Sequence, residues 1–403
     1  MKNSFNLTGI IVLYALFPFL LFACSQKNDD ALKVDASLLG PYSPAFTSVQ
    51  PFNDVNAAEL VARLKIGWNL GNTLDAVPWS GFNPLSSVWQ IETLWVKHIT
   101  TKENIDALKK AGFNVLRIPV SWSKVCNPNF IIRKDWMERV TEIVNYAVEN
   151  DMYVILNTHH DESIFKFRNH DTPESLKIFE IIWTQIASQF KNYNEKLIFE
   201  GLNEPRSKNS SNEWTGGTVD ERNNLNKHHQ VFVDTVRKTG GNNEKRLLMI
   251  TPYAASTEVS AINGLVLPDD IIENKLIVSV HSYSPYDFAL NVNSAVNTWS
   301  KENLDDTSPV TDMIDRVYEK FVKNGIPVIL GEFGAMNKDN EEDRARWAEF
   351  YTGYARGKGI PCVWWDNGAF SGNGELFGLI NRANNVIAYP LVLDGLMRGA
   401  GVK

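Results

Sequence analysis

Two glutamates stand at points of the sequence where short apolar runs end. Glu204 follows LIFEG (197–201) in the segment LNEP, and Glu332 follows VILG (328–331). Glutamate is rarely buried in a protein unless it is paired or functional. Two such acids across a cleft could hydrolyse a glycosidic bond, one protonating the leaving oxygen and the other attacking or activating water. Either glutamate alone could instead be a solvated loop acid.

Other polar and aromatic residues occur at comparable positions, at the ends of apolar runs. In chain order they are Asn69, Asn72, Arg117, His159, His160, Asn203, His281, Tyr283, Trp365, Asp366 and Asn367. Arg117 would be costly inside a protein without an anion to face. Its fixed charge would also keep a neighbouring carboxylate ionised, as a nucleophile requires. This distribution favours one site that is assembled from several strand ends.

The aromatic content suits sugar binding, because the apolar faces of sugar rings stack on indole. The chain has 12 Trp, 12 Tyr and 21 Phe. Most of these residues must belong to the core, and we assign Trp122, Trp136 and Trp183 to packing.

Eight apolar runs of strand length alternate with helical patterns. They span residues 66–70, 114–118, 153–157, 197–201, 247–250, 276–280, 327–331 and 362–365. The segments 101–112 and 135–150 between them carry apolar residues at helical spacing. Continuously apolar strands that alternate with helices indicate a parallel sheet covered by helices. We therefore predict an α/β fold, a (β/α)8 TIM barrel in a single catalytic domain, with its active site at the carboxyl ends of the strands. A doubly wound sheet is less favoured, because no glycine-rich turn follows the first strand.

The first residues predict an export signal. The apolar stretch 9–23 is short for a membrane-spanning helix and suits a signal peptide. Residues 21–24 (LFAC) resemble a lipobox, so we expect a lipoprotein-type signal peptide over 1–23, lipidation of Cys24, a tether over 24–52 and the catalytic domain over 53–403. This predicts a lipoprotein of the cell envelope, at the outer-membrane surface, whose only membrane attachment is the lipid at Cys24. Plain secretion is the alternative.

Composition narrows the remaining possibilities. The 403 residues are 44% hydrophobic and carry a net charge of -7 without a long basic run, which disfavours nucleic acid as a partner.

Cys126 and Cys362 predict two buried free thiols, although the sequence leaves their pairing open. Asp54 is a plausible N-cap of the first helix. We expect a monomer without cofactor or metal.

Seven segments carry a resemblance to a known family. They are GWNLGNTLDA, GFNVLRIPVSW, YVILNTHHDE, FEGLNEPR, HSYSPYDF, VILGEFGA and VWWDNG. Together and in this order, over about residues 54–400, they resemble glycoside hydrolase family 5, most closely its subfamily 4. The resemblance implies a retaining endo-β-1,4-glucanase acting on cellulose-type, mixed-linkage or xyloglucan polysaccharides.

The resemblance also implies individual roles. Glu204 would be the acid/base and Glu332 the nucleophile. Three residues would support these acids: Arg117 and Tyr283 would hold the nucleophile, and His281 would orient the acid/base. Asn203 would bind the sugar 2-hydroxyl, and His159 and Trp365 would contact the sugar at the cleavage point. Asn72 and His160 would contact the next sugar.

Three alternatives stay open at this stage. The same chemistry could act on mannan or xylan. A non-catalytic, glycan-binding surface lipoprotein would keep the aromatics but would not need both acids. A metal hydrolase could use His159, His160, Asp161 and Glu162 of NTHHDE, but neighbouring strand residues should point to opposite faces, which separates the two histidines.

Overall fold

The structure is a computed structural model that describes residues 48–78 and 86–403. The predicted signal peptide, Cys24 and most of the predicted tether lie outside the described residues. Among the helices of the described residues, none combines the length and the apolar character that crossing a membrane requires.

Eight parallel strands form one closed barrel, which confirms the predicted (β/α)8 fold. They are β1 (Ile66–Leu70), β2 (Val115–Ile118), β3 (Tyr153–Asn157), β4 (Leu197–Glu200), β5 (Leu248–Ile250), β6 (Leu276–His281), β7 (Val328–Phe333) and β8 (Cys362–Asp366). β1 pairs with both β2 and β8, and this double pairing closes the barrel. A short antiparallel pair follows, β9 (Ile380–Asn381) and β10 (Val386–Ile387).

Helices connect the strands. They are α1 (Ala57–Val61), α2 (Val88–Glu92), α3 (Lys102–Ala111), α4 (Lys134–Glu149), α5 (Thr172–Phe190), α6 (Val219–Lys238), α7 (Val259–Gly264), α8 (Tyr286–Ala289), α9 (Leu304–Lys320), α10 (Glu341–Gly357) and α11 (Pro390–Gly399). The two helices predicted above correspond to α3 and α4. α3 ends at Gly112, whose φ of 110° is a conformation that glycine adopts without strain.

The start of α1 corrects the predicted cap. Asn56, and not Asp54, is the N-cap residue, and it exchanges capping hydrogen bonds with Glu59. Asp54 instead pairs with Lys245 at 2.9 Å and Lys275 at 2.6 Å. The Asp54 carboxylate therefore forms ion pairs with residues distant in the sequence instead of capping α1.

The core has an inner and an outer part. Inside the barrel, residues such as Ile155, Ile198 and Ile329 pack together with Leu60 and Val61 of α1. α1 thus covers the amino-terminal end of the barrel, and the carboxyl end is left to form the site.

The outer part of the core lies between the strands and the helices. Trp122, Trp136 and Trp183 are fully buried there, which confirms their assignment to packing. Cys126 and Cys362 are free thiols, and only Cys362 is fully buried.

Candidate active site

Arg117 of β2 is the centre of the site, and it is completely buried. Its Nη1 donates to Glu332 Oε1 at 2.6 Å, and Tyr283 donates its hydroxyl hydrogen to Glu332 Oε2 at 3.0 Å. Both oxygens of the Glu332 carboxylate are therefore held, one by a cation and one by a phenol. Burial and the Glu332 charge raise the pKa of Tyr283 well above its ordinary value, so it stays a donor.

A second buried acid shares the same guanidinium, and the sequence analysis missed it. Glu200 of β4 accepts from Arg117 Nε at 2.7 Å, from Ser279 at 2.7 Å and from Asn157 at 3.1 Å. Burial alone would lower the pKa of Arg117, but Glu200 and Glu332 together raise it. The signal for Glu200 was present, since an acid within an apolar strand is rare without a partner.

Two asparagines complete the contacts of Arg117. Its Nη2 donates to Asn203 Oδ1 at 2.8 Å, which leaves the amide nitrogen of Asn203 as the donor available to a ligand. Asn69 accepts from Nη1 at 2.9 Å, and its own amide donates to backbone carbonyls of β7 and β8. Asn69 is fully buried and supports Arg117 instead of facing a ligand.

Glu204 lies directly after β4 and faces Glu332. His281 Nδ1 is 3.0 Å from Glu204 Oε1 and 3.7 Å from Glu332 Oε2. One carboxylate oxygen of each glutamate and the histidine nitrogen lie within 4.8 Å of one another. The two acids that the sequence separates by more than a hundred residues are thus brought together around His281, as predicted.

The charge around Glu204 favours its ionised form. Burial would raise the pKa of this carboxyl, but the hydrogen bond and charge of His281 and the charges of Arg206 and His160 hold it below its ordinary value. Arg206 Nη1 lies 3.7 Å from Glu204 Oε2, and its guanidinium stacks on Trp214 at 4.5 Å. Arg206 belongs to the NEPR segment, but the sequence analysis gave it no role.

His159 and Trp365 form one wall of the site. Their rings are nearly parallel, with an interplanar angle of 4° and centroids 5.8 Å apart. Asn157 contacts His159 Nδ1 at 3.2 Å, which leaves Nε2 on the other side of the ring. Burial and the neighbouring positive charges lower the pKa of His159 well below its ordinary value, so the ring is neutral.

The two histidines lie side by side, which corrects the predicted separation. The ring centroids of His159 and His160 are only 4.4 Å apart. Strand β3 ends at Asn157, so the alternation of strand faces no longer applies to either residue. Burial would lower the pKa of His160, but Glu162 and Asp75 raise it.

Asn72 lies on the turn after β1, in a left-handed conformation with φ 57°. Its backbone N–H donates to Asp75 Oδ2 at 3.0 Å, and that of Thr73 donates to Oδ1 at 2.6 Å. An oxygen of Asp75 and a ring nitrogen of each of His159 and His160 lie within 4.8 Å of one another. Asp75 thus links two features of the site, the turn that contains Asn72 and the pair of histidines.

Three other predicted polar residues are structural. Asp161, one of the metal ligands considered above, accepts from the backbone N–H groups of Trp122 and Ser123. Asp366 accepts from the Trp68 indole and from the backbone that follows β8, and Asn367 binds the same loop through its side chain. These residues shape the loops, while the residues described above form the cleft.

Comparisons with known proteins identify the family of this chain. The profile described as Cellulase (glycosyl hydrolase family 5) matches residues 77–371. Endoglucanase B of Ruminococcus albus is 46% identical over 355 residues, which cover 88% of this chain and 83% of that protein.

Solved structures show the same relationship. A GH5-4 broad-specificity endoglucanase from Ruminococcus champanellensis with bound cellotriose is 44% identical, with a TM-score of 0.83 over 86% of this chain and 100% of that one. A mutant family 5 lichenase from a Caldicellulosiruptor species in complex with cellotetraose is 43% identical, with a TM-score of 0.82 over 88% of this chain and 97% of that one. The chain belongs to the cellulase family, glycosyl hydrolase family 5.

Proposed function

We propose that this protein is a retaining, endo-acting β-1,4-glucanase that hydrolyses cellulose-type, mixed-linkage or xyloglucan polysaccharides through a covalent glycosyl-enzyme. The observation that carries the proposal is the approach of Glu204 and Glu332 around His281, with carboxylate oxygens within 4.8 Å. In retaining enzymes the two carboxyl groups are about 5–5.5 Å apart, whereas inverting enzymes need about 6.5–9.5 Å to admit a water molecule.

Glu332 is the nucleophile in this mechanism. Arg117 and Tyr283 hold its two oxygens in place, so the carboxylate is oriented before the substrate arrives. It attacks the anomeric carbon while the bond to the leaving oxygen breaks, and Glu204 gives its proton to that oxygen. Glu204 then takes a proton from water, the water attacks the anomeric carbon, and Glu332 leaves as a carboxylate.

The supporting residues have matching tasks. Asn203 presents its amide nitrogen beside the nucleophile, where a sugar 2-hydroxyl would lie. His159 and Trp365 offer a neutral imidazole and an indole face to the sugar at the cleavage point. We assign His160 and Asn72 to the next sugar, as the subfamily resemblance implies. His281 favours the carboxylate of Glu204, which is the form that the second step uses.

Substrate preference rests on the relatives. Those relatives are called endoglucanases, broad-specificity endoglucanases and a lichenase, and two of the structures hold cello-oligosaccharides. These names support β-1,4-glucan and mixed-linkage glucan as substrates, while xyloglucan follows from the subfamily resemblance.

The test is product analysis on a panel of cellulose derivative, mixed-linkage glucan, xyloglucan, mannan and xylan, with Glu332→Gln as the control for contaminating activity. Proton NMR of the first product from a glucan should show the β-anomer. An initial α-anomer would exclude retention, and cleavage confined to mannan or xylan would overturn the substrate assignment. A chain that binds glucans without cleaving any of them would be the non-catalytic lipoprotein.

We also propose that Cys24 carries a lipid that anchors the enzyme to the cell envelope. The support is the sequence of residues 21–24, which resembles a lipobox. Plain secretion without lipidation is the alternative.

A further inference from the structure

A large cavity with an excess of positive charge opens beside the catalytic pair. It has a volume of about 810 Å³, and residues that follow β1, β2, β3 and β4 line it; we call it the basic cleft. Its charged lining consists of five basic side chains, Lys124, Lys166, Arg168, Arg206 and Lys208, and two carboxylates, Glu162 and Asp171. Burial lowers the pKa of Lys124 to about 7, so the other four basic side chains supply most of the positive charge at neutral pH. This excess contrasts with the net charge of -7 of the whole chain.

Two of the cations are already used by the protein. Lys124 donates to the backbone carbonyls of Leu74 and Ala76. Arg206 Nε lies 3.0 Å from a carboxylate oxygen of Glu213. These two residues build the floor of the basic cleft and do not need a ligand.

Lys166 and Arg168 are different, because they are directed into the basic cleft without protein partners. Phe165 and Phe167 alternate with them along the chain and are buried, with exposures of 3% and 2%. The Phe165 ring packs on Phe179 at 4.9 Å, and that of Phe167 packs on His228 at 5.0 Å. Lys166 and Arg168 must therefore point the opposite way.

The backbone of this segment is fixed as well. Lys166 N donates to Ser175 Oγ at 2.8 Å, and that hydroxyl also contacts His228 Nε2 at 2.8 Å. Within the described chain, neither the Lys166 ammonium nor the Arg168 guanidinium has a hydrogen bond or an ion pair. The backbone is thus anchored, while the Lys166 and Arg168 side chains are exposed and line the cavity without protein partners among the described residues.

Glu162, one of the two carboxylates in the basic cleft, does not neutralise the cations around it, and the other, Asp171, lies beside His170 at 3.3 Å. Glu162 Oε1 lies 3.4 Å from Arg206 Nη1, 3.7 Å from His160 Nδ1 and 3.9 Å from Lys208 Nζ, and it is buried without a hydrogen-bond partner. One acid is therefore shared among three nitrogens. The backbone on both sides of Lys208 is anchored, because the N–H of Ser207 donates to Tyr253 and that of Asn209 donates to Glu213, while the Lys208 side chain itself is about half exposed.

The basic cleft adjoins the reaction centre through Arg206 and His160, which line it. Arg206 contacts both Glu162 and Glu204, at 3.4 Å and 3.7 Å, and His160 belongs to both the cavity lining and the proposed sugar site. A polysaccharide bound across Glu204 would therefore place a substituent or a neighbouring unit among these cations. Ammonium and guanidinium groups form charge-assisted hydrogen bonds with carboxylates, which are about twice as strong as hydrogen bonds between neutral groups.

We infer that the basic cleft is a subsite for carboxylate-bearing units of the substrate, so that the enzyme favours β-glucan chains decorated with acidic groups over neutral ones. The inference rests on the proposed glucanase function, because the acidic group is carried on the chain that is cleaved.

The test compares carboxymethyl cellulose with hydroxyethyl cellulose of equal length and degree of substitution. The quantity measured is the ratio of kcat/KM on the acidic polymer to kcat/KM on the neutral one. It is measured at ionic strengths of about 0.01 M and about 1 M, where the screening length is about 30 Å and about 3 Å. The variant is Lys166→Gln/Arg168→Gln, and Lys166→Glu/Arg168→Glu extends the series.

The control is Lys323→Gln/Arg356→Gln, which changes the net charge equally at the amino-terminal end of the barrel, before β7 and β8. This control variant shows how much of any change in the ratio comes from the overall charge of the protein or from the effect of salt on the polymer. For the wild type at low salt, the ratio should exceed that of the glutamine variant by about fivefold or more, and the glutamate variant should lie lower still. High salt should remove most of these differences.

A glutamine variant that keeps the wild-type ratio at low salt would overturn the inference, as would a control variant that loses the ratio equally. Failure of the proposed function would look different, because neither polymer would then be cleaved by any form of the protein.

Discussion

Replacing Arg117 by methionine tests how the site is held together. Arg117 is the only charge partner that the described structure gives to the buried carboxylate of Glu200, at 2.7 Å, and it also binds Glu332 at 2.6 Å. Methionine fills a similar volume but leaves the buried carboxylates of Glu200 and Glu332 without the cation that they share. The variant should lose activity, but stability is the sharper measurement because it reports the buried charges directly.

The expected loss of stability follows from the contacts that remain. Glu200 keeps its hydrogen bonds from Ser279 and Asn157, and Glu332 keeps that from Tyr283. We therefore count one broken buried ion pair instead of two, which costs about 3–5 kcal/mol. In a protein of this size, that loss should lower Tm by about 4–7 °C.

The stability loss of Arg117→Met should depend on pH in a characteristic direction. Without the guanidinium, the folded variant can relieve its buried negative charge only by binding protons on the two carboxyl groups. The folded state then binds more protons than the unfolded chain does, so the stability deficit relative to wild type should shrink as the pH falls. Thermal unfolding followed by circular dichroism at about pH 7.5 and about pH 5 measures this change.

Arg246→Met is the matched control. Arg246 is also fully buried, but it donates to oxygens of backbone carbonyls, such as those of Leu197 and Tyr193, and of the Asn243 amide. Burial lowers its pKa to about 9, so it is charged at both pH values. Its loss should destabilise the protein by an amount that does not shrink on acidification. The reasoning fails if Arg117→Met has the Tm of the wild type, or if its deficit is the same at both pH values.

Three further results are expected. Glu332→Gln should be inactive on every substrate, while Glu204→Ala should lose about 10²–10⁴-fold of its activity on polysaccharide. Glu204→Ala should still form the glycosyl-enzyme from a dinitrophenyl glycoside, and added azide should relieve the stall that follows. A burst of product from the Glu332 variant alone would mean that the two roles are reversed. His281→Gln removes a hydrogen bond and a charge that favour the Glu204 carboxylate, so the pKa of Glu204 should rise and the alkaline limb of kcat/KM should move to higher pH; an unmoved limb would refute this. Cys24→Ser should release the protein from the membrane fraction or block its processing, whereas a freely secreted wild type would mean that Cys24 is not lipidated.

The sequence by itself determined the order and the type of the elements. The predicted strands agree with β1 to β8 to within two residues at each end, and α3 ends at Gly112, the last residue of the predicted helical segment 101–112. These features depend on neighbouring residues alone, namely apolar continuity and the conformational freedom of glycine. The same rules predicted that polar strand ends would gather at one end of a barrel, and Glu204 and Glu332 do gather there.

The sequence determines the burial of Glu200, and the tertiary structure determines its partners. It is two residues beyond Ile198, which faces the barrel interior, so strand alternation directs Glu200 to the same face. The sequence could have identified it as a buried acid. It could not identify the partners, because Arg117 lies 83 residues away and Ser279 lies 79 residues away.

Only the tertiary structure decided which charges meet. Arg117 and Glu332 are 215 residues apart, and their contact depends on where β2 and β7 stand around the closed barrel. His159 and His160 adjoin because β3 ends before them, and Lys166 and Arg168 face the cleft because Phe165 and Phe167 are anchored beneath them. Local patterns fix each residue's element, but distances between side chains depend on how all the elements pack, and a charge acts through those distances.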